Sequence, residues 1–181
     1  MPRILVTGGV RSGKSTYAER LLADAPTVTY VAPGPVPDPL TDPEWAARIA
    51  AHRARRPGNW TTVETADVAA AVRAATGPLL VDCLGTWLTR TLDDLDAWEA
   101  PRERWQDRVL GAVDALADAW RACPYPAVAV TNEVGWGGVP AYPAGRTFAD
   151  LLGRTNQTVA AASDRVVLMV AGRPLELPPP G

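Results

Sequence analysis

The sequence predicts an α/β fold: a mostly parallel sheet of about seven strands, one antiparallel strand at its edge, and helices on both faces. Three observations predict it. Short apolar runs such as Ile4-Leu5-Val6, Leu79-Leu80-Val81 and Ala127-Val128-Ala129-Val130 alternate with segments of helical spacing. That is the pattern of parallel strands buried on both sides. The first run passes straight into a glycine-rich turn and then a helix-like segment. The last two strand candidates are joined too tightly for a crossover, so the final one must run antiparallel.

Each element has its own warrant. Arg3 to Thr7 is the first strand, and Lys14 to about Ala23 the first helix, broken by Asp24-Ala25-Pro26. Thr27 to Ala32 is short and β-branched, which suits a strand. Pro33 to Pro43 carries five prolines and a glycine, so it reads as a loop at a strand's carboxyl end, where ligands bind in open α/β sheets. Asp42 as N-cap, Pro43 at the first helical position and Glu44 in the first turn start a helix that runs through Arg56 and stops at Pro57-Gly58. Trp60 to Glu64 is a short strand, Ala66 to Ala75 a small helix, and Leu79 to Cys83 an apolar strand containing an acid. Thr86 to Leu95 reads as helix. Pro101 to Ala122 reads as one long amphipathic helix with Trp105, Val109, Val113, Leu116 and Trp120 at helical spacing. Ala127 to Thr131 is a buried strand, Asn132 to Gly145 a long loop, and Gly145 to about Ala162 a helix. Asp164 to Val170 and Leu175 to Leu177 are the last two strands. One domain over residues 1–177 is expected, with 178–181 as a frayed tail.

Composition narrows the classes of function. A net charge of −2 over 181 residues gives no global field to recruit nucleic acid or an acidic membrane surface. Cys83 and Cys123 form no CxxC pattern and sit in or beside apolar segments, as buried free thiols do in a reducing compartment. No apolar run approaches a membrane span, and no leader segment is expected. A soluble, cytoplasmic protein with no nucleic-acid and no membrane partner is the expectation.

The chemistry starts at Gly8-Gly9-Val10-Arg11-Ser12-Gly13-Lys14-Ser15. This is G-x-x-x-x-G-K-S between a strand and a helix, the Walker A context. The glycines let backbone N–H groups turn inward around a phosphate chain. The helix points its positive end at those phosphates. Lys14 reaches the β/γ oxygens, and the Ser15 hydroxyl can ligate Mg²⁺. Lys14 is also the only lysine in the chain. Asp82, after an apolar strand, suits the Mg²⁺-holding acid of such proteins, or else a simple strand-end cap.

His52 is the only histidine. It shares a helix face with Trp45, Ile49 and Arg56. Two readings stand: a packed, half-buried ring, or a nucleophile. Arg48, Arg53, Arg55 and Arg56 around it favour phosphates and disfavour the imidazolium, leaving a neutral nitrogen. The loop Thr131-Asn132-Glu133-Val134-Gly135-Trp136-Gly137-Gly138 reads as functional by its length and place, or as a surface loop with turn glycines. Arg146 and Arg154 are phosphate ligands or solvated charges.

Taken together, these segments resemble a known family. The P-loop, Arg48-Ile49-x-x-His52-x-x-x-Arg56-Pro57 with Trp60-x-Thr62-x-Glu64, Leu80-Val81-Asp82-Cys83-Leu84, Val130 to Gly137, and Gly153-Arg154-x-Asn156-Gln157 look like the bifunctional adenosylcobinamide kinase / adenosylcobinamide-phosphate guanylyltransferases. The resemblance covers nearly the whole chain in order. It implies a RecA-like P-loop NTPase fold, GTP and ATP as substrates, Mg²⁺, adenosylcobinamide as acceptor, and a homotrimer. It also implies a histidine that carries GMP as a covalent intermediate, matching His52 here. The implied nucleotide-binding positions are Gly8 to Ser15, Ala32, Pro33, Gly34, Arg53, Ala54, Arg55, Arg56, Glu64 and Asp82, with Ser15 and Asp82 toward the metal. Pro33-Gly34 departs from the Thr or Ser that many relatives carry there.

Overall fold

Strand alternation decides where the core lies. In the computed structural model, which describes residues 2–35 and 40–179 and all their side chains but Trp45, β1 (Arg3–Gly8), β2 (Val28–Ala32), β3 (Trp60–Glu64), β4 (Leu79–Asp82), β5 (Ala127–Val130), β6 (Arg165–Val170) and β7 (Arg173–Leu177) form one sheet. Its order is β3-β2-β4-β5-β1-β6-β7. Every neighbouring pair is parallel except β6–β7. The antiparallel edge is therefore as expected, and β7 begins at Arg173, two residues earlier than the composition suggested. β6 and β7 are joined by Ala171 and Gly172, both at positive φ (49° and 77°). Two left-handed residues make the primed turn that matches strand twist, and glycine takes it without a Cβ clash.

Successive residues on a strand face opposite sides, and the two sides carry different layers. Leu5, Val31, Leu79, Val81, Ala127 and Ala129 face a thick apolar layer. It is built from α3 (Val68–Arg73), α4 (Leu84–Asp93), α5 (Gln106–Ala122) and α6 (Pro143–Ala161). Ile4, Val6, Val28, Tyr30, Leu80, Val128 and Val130 face a thinner one, closed by Ala18 on α1 (Lys14–Leu21) and by Leu22. α2 (Pro43–Arg55) contributes no described residue to either layer.

Helix boundaries moved where local hydrogen bonding outweighed periodicity. The long helix expected from Pro101 splits into a 3-10 turn, Arg102–Arg104, and α5 from Gln106. Trp105 stands between them, buried, its Nε1 donating to Ala100 O at 3.1 Å. α6 starts at Pro143, two residues before the expected Gly145, because proline suits a first helical position. The expected loop Pro33–Pro43 is described only at its two ends, since 36–39 lie outside the described residues. So do Pro180 and Gly181 of the expected tail. Ala46 N–H donates to Asp42 O at 3.0 Å, the first helical bond of α2. Cys83 and Cys123 are both unbridged. No described helix is long and apolar enough to cross a membrane.

Candidate functional site

β5 lies between β1 and β4 in the sheet, so the P-loop after β1 and the acid ending β4 flank the same crevice at the strands' carboxyl ends. The crevice opens into a cavity of about 770 Å³. Val10 to Ser15, Ala32, Gly34, His52, Arg53, Arg55, Arg56, Glu64 and Asp82 all border it. Of the implied nucleotide-binding positions, Gly8, Gly9, Pro33 and Ala54 do not.

Two of those four shape the site from behind. Gly8 has φ 148°, and a Cβ there would meet Met169 O at 2.5 Å. Only glycine lets β1 leave the sheet this close to β6. Gly9 O accepts from Lys14 Nζ at 2.6 Å. Lys14 is 7% exposed, and burial lowers its pKa while Cys83, Asp82 and Glu133 pull it back up. Its ammonium is thus turned onto the loop's own carbonyl. α1 opens at Gly13 with no side-chain cap, which leaves its first N–H groups facing the cavity. The loop is fixed from the far side: Gly172 N–H donates to Ser12 O at 3.0 Å.

Asp82 is the hub of the opposite wall. Tyr30 Oη donates to its Oδ2 at 3.0 Å, and His52 Nδ1 lies 3.8 Å from the same oxygen. The His52 and Asp82 side chains are 19% and 8% exposed. Burial lowers the His52 pKa; Asp82 and Glu19 oppose that shift, and Arg55 and Arg48 add to it. Burial first, and the arginines after it, favour the neutral ring. The Tyr30 hydroxyl is pushed well above the ordinary phenol range by burial and by Asp82, so it stays a donor. The Arg56 guanidinium lies 3.2 Å from the Tyr30 ring centroid and donates to Thr62 Oγ1 at 3.1 Å, a cation–π stack that sets the ring's plane. Arg53 pairs with Glu64 and Arg55 with Glu19 (3.3 Å). The packed face expected for Trp45, Ile49 and His52 is half answered: Ile49 and His52 are half-buried, and the Trp45 side chain lies outside the described residues.

Several working residues escaped the sequence reading. Tyr30 was one of six in a strand, and only its inward register brings it to Asp82. Glu19 looked like an ordinary α1 charge. The loop after β5 was noted, but its anchoring was not legible. Thr7 Oγ1 donates to Glu133 Oε1 at 2.6 Å, Thr131 Oγ1 to Asn156 Oδ1 at 2.6 Å, and Asn156 Nδ2 to Asn132 O at 3.0 Å. Asn132 and Val134 then border the cavity. Arg146 and Arg154 do not. Arg146 donates to Pro140 O and Ala141 O at 3.0 and 2.9 Å and so folds the loop onto α6.

Ser15 and Asp82 supply hard oxygens on one cavity, and Asp82 Oδ1 meets no hydrogen-bond donor among the described residues. Among the described residues, no group of three His, Cys, Asp or Glu side chains suited to a metal stands together. The donor set therefore fits Mg²⁺ held by few protein ligands and completed by phosphate and water.

Comparison with known proteins places the fold and the family. The chain superposes on an ATPase of the type III secretion system with a TM-score of 0.58 at 14% identity, over 92% of its own length and 50% of that chain. A second, the assembled EscN ATPase of enteropathogenic E. coli, gives 0.57 at 14% identity, over 94% and 43%. It spans about half the length of those chains, and the likeness is one of fold: the P-loop ATPase sheet. Sequence relatives are full-length matches. The bifunctional adenosylcobalamin biosynthesis protein CobU of Salmonella typhimurium is 41% identical, covering 93% of this chain and 96% of its own. CobU of Escherichia coli is 40% identical over 93% and 96%. CobP of Pseudomonas aeruginosa is 39% identical over 97% and 96%. Residues 4–177 match the model of the cobinamide kinase / cobinamide phosphate guanyltransferase family, and with a P-loop, a lone histidine and an acid sharing one cavity, the chain belongs to that family of enzymes.

Proposed function

We propose that one domain over residues 1–177 carries out both reactions of its family at this cavity, the second through a guanylyl group on His52. The observation that carries the reading is the convergence of Lys14, Asp82 and His52, whose neutral form burial favours, on one cavity of about 770 Å³. In the first reaction a nucleoside triphosphate, ATP or GTP, gives its γ-phosphoryl group to the aminopropanol hydroxyl of adenosylcobinamide. The P-loop N–H groups cradle the phosphates, and Lys14 leaves Gly9 O to reach the γ-oxygens. In the second, the ring nitrogen of His52 remote from Asp82 attacks the α-phosphorus of GTP. An N–P bond forms, the bond from the α-phosphorus to the bridging oxygen breaks, and its electron pair leaves on pyrophosphate. The proton on Nδ1 stays there, steadied by the Asp82 carboxylate. GMP then passes to adenosylcobinamide phosphate, giving adenosylcobinamide-GDP and freeing the ring. Mg²⁺, held by Ser15 and Asp82, would supply charge neutralisation along the phosphate chain. Arg53 to Arg56, Glu64 and the Ala32 to Gly34 turn hold the rest of the nucleotide. A homotrimer and a cytoplasmic setting belong to the same reading.

The test is covalent labelling. Incubation with α-labelled GTP and Mg²⁺ should leave an acid-labile, base-stable label on the wild type and none on His52→Ala. An unlabelled wild type overturns the guanylyl-histidine. Lys14→Ala should abolish both reactions if they share one P-loop, and guanylylation surviving in that variant would mean separate nucleotide sites.

A further inference from the structure

Five arginines border the cavity: Arg11, Arg48, Arg53, Arg55 and Arg56. Three are engaged, with Glu64, Glu19, and Thr62 plus the Tyr30 ring. Arg11 belongs to the P-loop itself. Arg48 is different. It stands on α2, exposed, with no hydrogen bond or ion pair among the described residues. Glu44, one turn earlier on the same cavity-facing stripe, does not pair with it. Arg48 borders the same cavity as His52 and Lys14, which lie on opposite walls.

We infer that Arg48 is a catalytic residue of guanylyl transfer alone, binding the pyrophosphate that departs as His52 attacks. The inference rests on the guanylyl-His52 reading above. When the N–P bond forms and the bond to the bridging oxygen breaks, negative charge gathers on that oxygen and on the β- and γ-phosphates. A cation placed to meet that charge must lie between the nucleophile and the P-loop. Arg48 sits one helical turn from His52, at i and i+4 on one face, so it travels with the nucleophile wherever α2 is placed. It also gives up no existing acceptor to make the contact, whereas Arg53, Arg55 and Arg56 would each break one. Its planar fork suits two phosphate oxygens at once. In γ-phosphoryl transfer no charge gathers at the α–β bridge, so that reaction has little use for it.

The experiment is a single-turnover labelling series with α-labelled GTP and Mg²⁺ on the full-length protein, run beside ATP-dependent phosphorylation of cobinamide. Arg48→Met, which keeps the apolar stem, should lower the saturating labelling rate about 10²- to 10³-fold, the usual scale for losing one donor aimed at developing charge. Arg48→Lys should recover part of it. Cobinamide phosphorylation should fall by less than about threefold, on the argument that a group outside the transition state contributes little to it. Removal of the label by added pyrophosphate should slow by the same factor as labelling, since both cross one transition state. Equal losses in the two reactions, or a raised KM for GTP with an unchanged saturating rate, would overturn the inference and leave Arg48 a general phosphate attractor. If the wild type takes no label, the guanylyl-His52 reading falls and this inference with it. If it does, and Arg48→Met labels equally fast, only the inference falls.

Discussion

α2 and α5 are both amphipathic helices of more than three turns, yet they are held in opposite ways. α5 buries Val109, Val113, Leu116, Ala117, Ala119 and Trp120 under the sheet. α2 buries none of its described side chains and is tied down by polar pairs: Arg53 with Glu64, Arg55 with Glu19, and His52 beside Asp82. The apolar stripe of α5 locks it, because packing tolerates little displacement. The cationic stripe of α2 can exchange carboxylates for phosphates at little cost. The difference teaches that the helix carrying His52 is held by polar pairs and not by core packing. The two proposed reactions, at two different phosphorus atoms, call for a helix held in that way.

Mutations can break or sharpen that contrast. The largest effect should come from α5. Trp120→Ala should cost about 3–5 kcal/mol, as a fully buried aromatic does, and it also removes the donor at 2.9 Å to Ser163 Oγ, leaving that hydroxyl its bond to Val159 O; urea unfolding midpoints measure it. Ile49→Ala, the matching apolar change on α2, should cost about 1 kcal/mol or less, since a half-buried side chain loses only part of its transfer energy. A cost as large as that of Trp120 would show α2 locked in the core. Next, Glu64→Ala should lower stability by at most about 0.5 kcal/mol, the scale of an exposed ion pair, while raising the KM for GTP in guanylylation. The smallest effect is a displacement along the pH axis. Labelling needs a neutral ring, and burial lowers the His52 pKa below its ordinary 6.5. The labelling rate should therefore stay full as pH falls through 6.5 and drop only below it. A half-drop at or above 6.5 would mean that Asp82 and Glu19 outweigh burial.

Much of this was legible in the chain. Short apolar runs marked the central strands β1, β4, β5 and β6, because a sheet covered on both faces leaves no room for polar alternation there. The glycine spacing marked the P-loop, and the arginines flanking His52 marked a phosphate-facing helix. What could not be read was lateral. Nothing local says that β5 inserts between β1 and β4, so nothing local says that Lys14 and Asp82 share a crevice. Tyr30 looked like any strand aromatic until register paired Tyr30 with Leu80 and brought its hydroxyl to Asp82. Arg146 read as a phosphate ligand or a solvated charge; its pairing with the loop could not be read, because carbonyl acceptors on a loop leave no mark in a sequence.

The turn at Ala171-Gly172 gives the P-loop a second foundation. A stretch some 160 residues downstream determines the shape of the first loop in the chain, through one N–H to Ser12 O and the backbone of Met169 beneath Gly8. Lesions in this far hairpin would therefore surface as weakened triphosphate affinity, with the sequence around Lys14 intact.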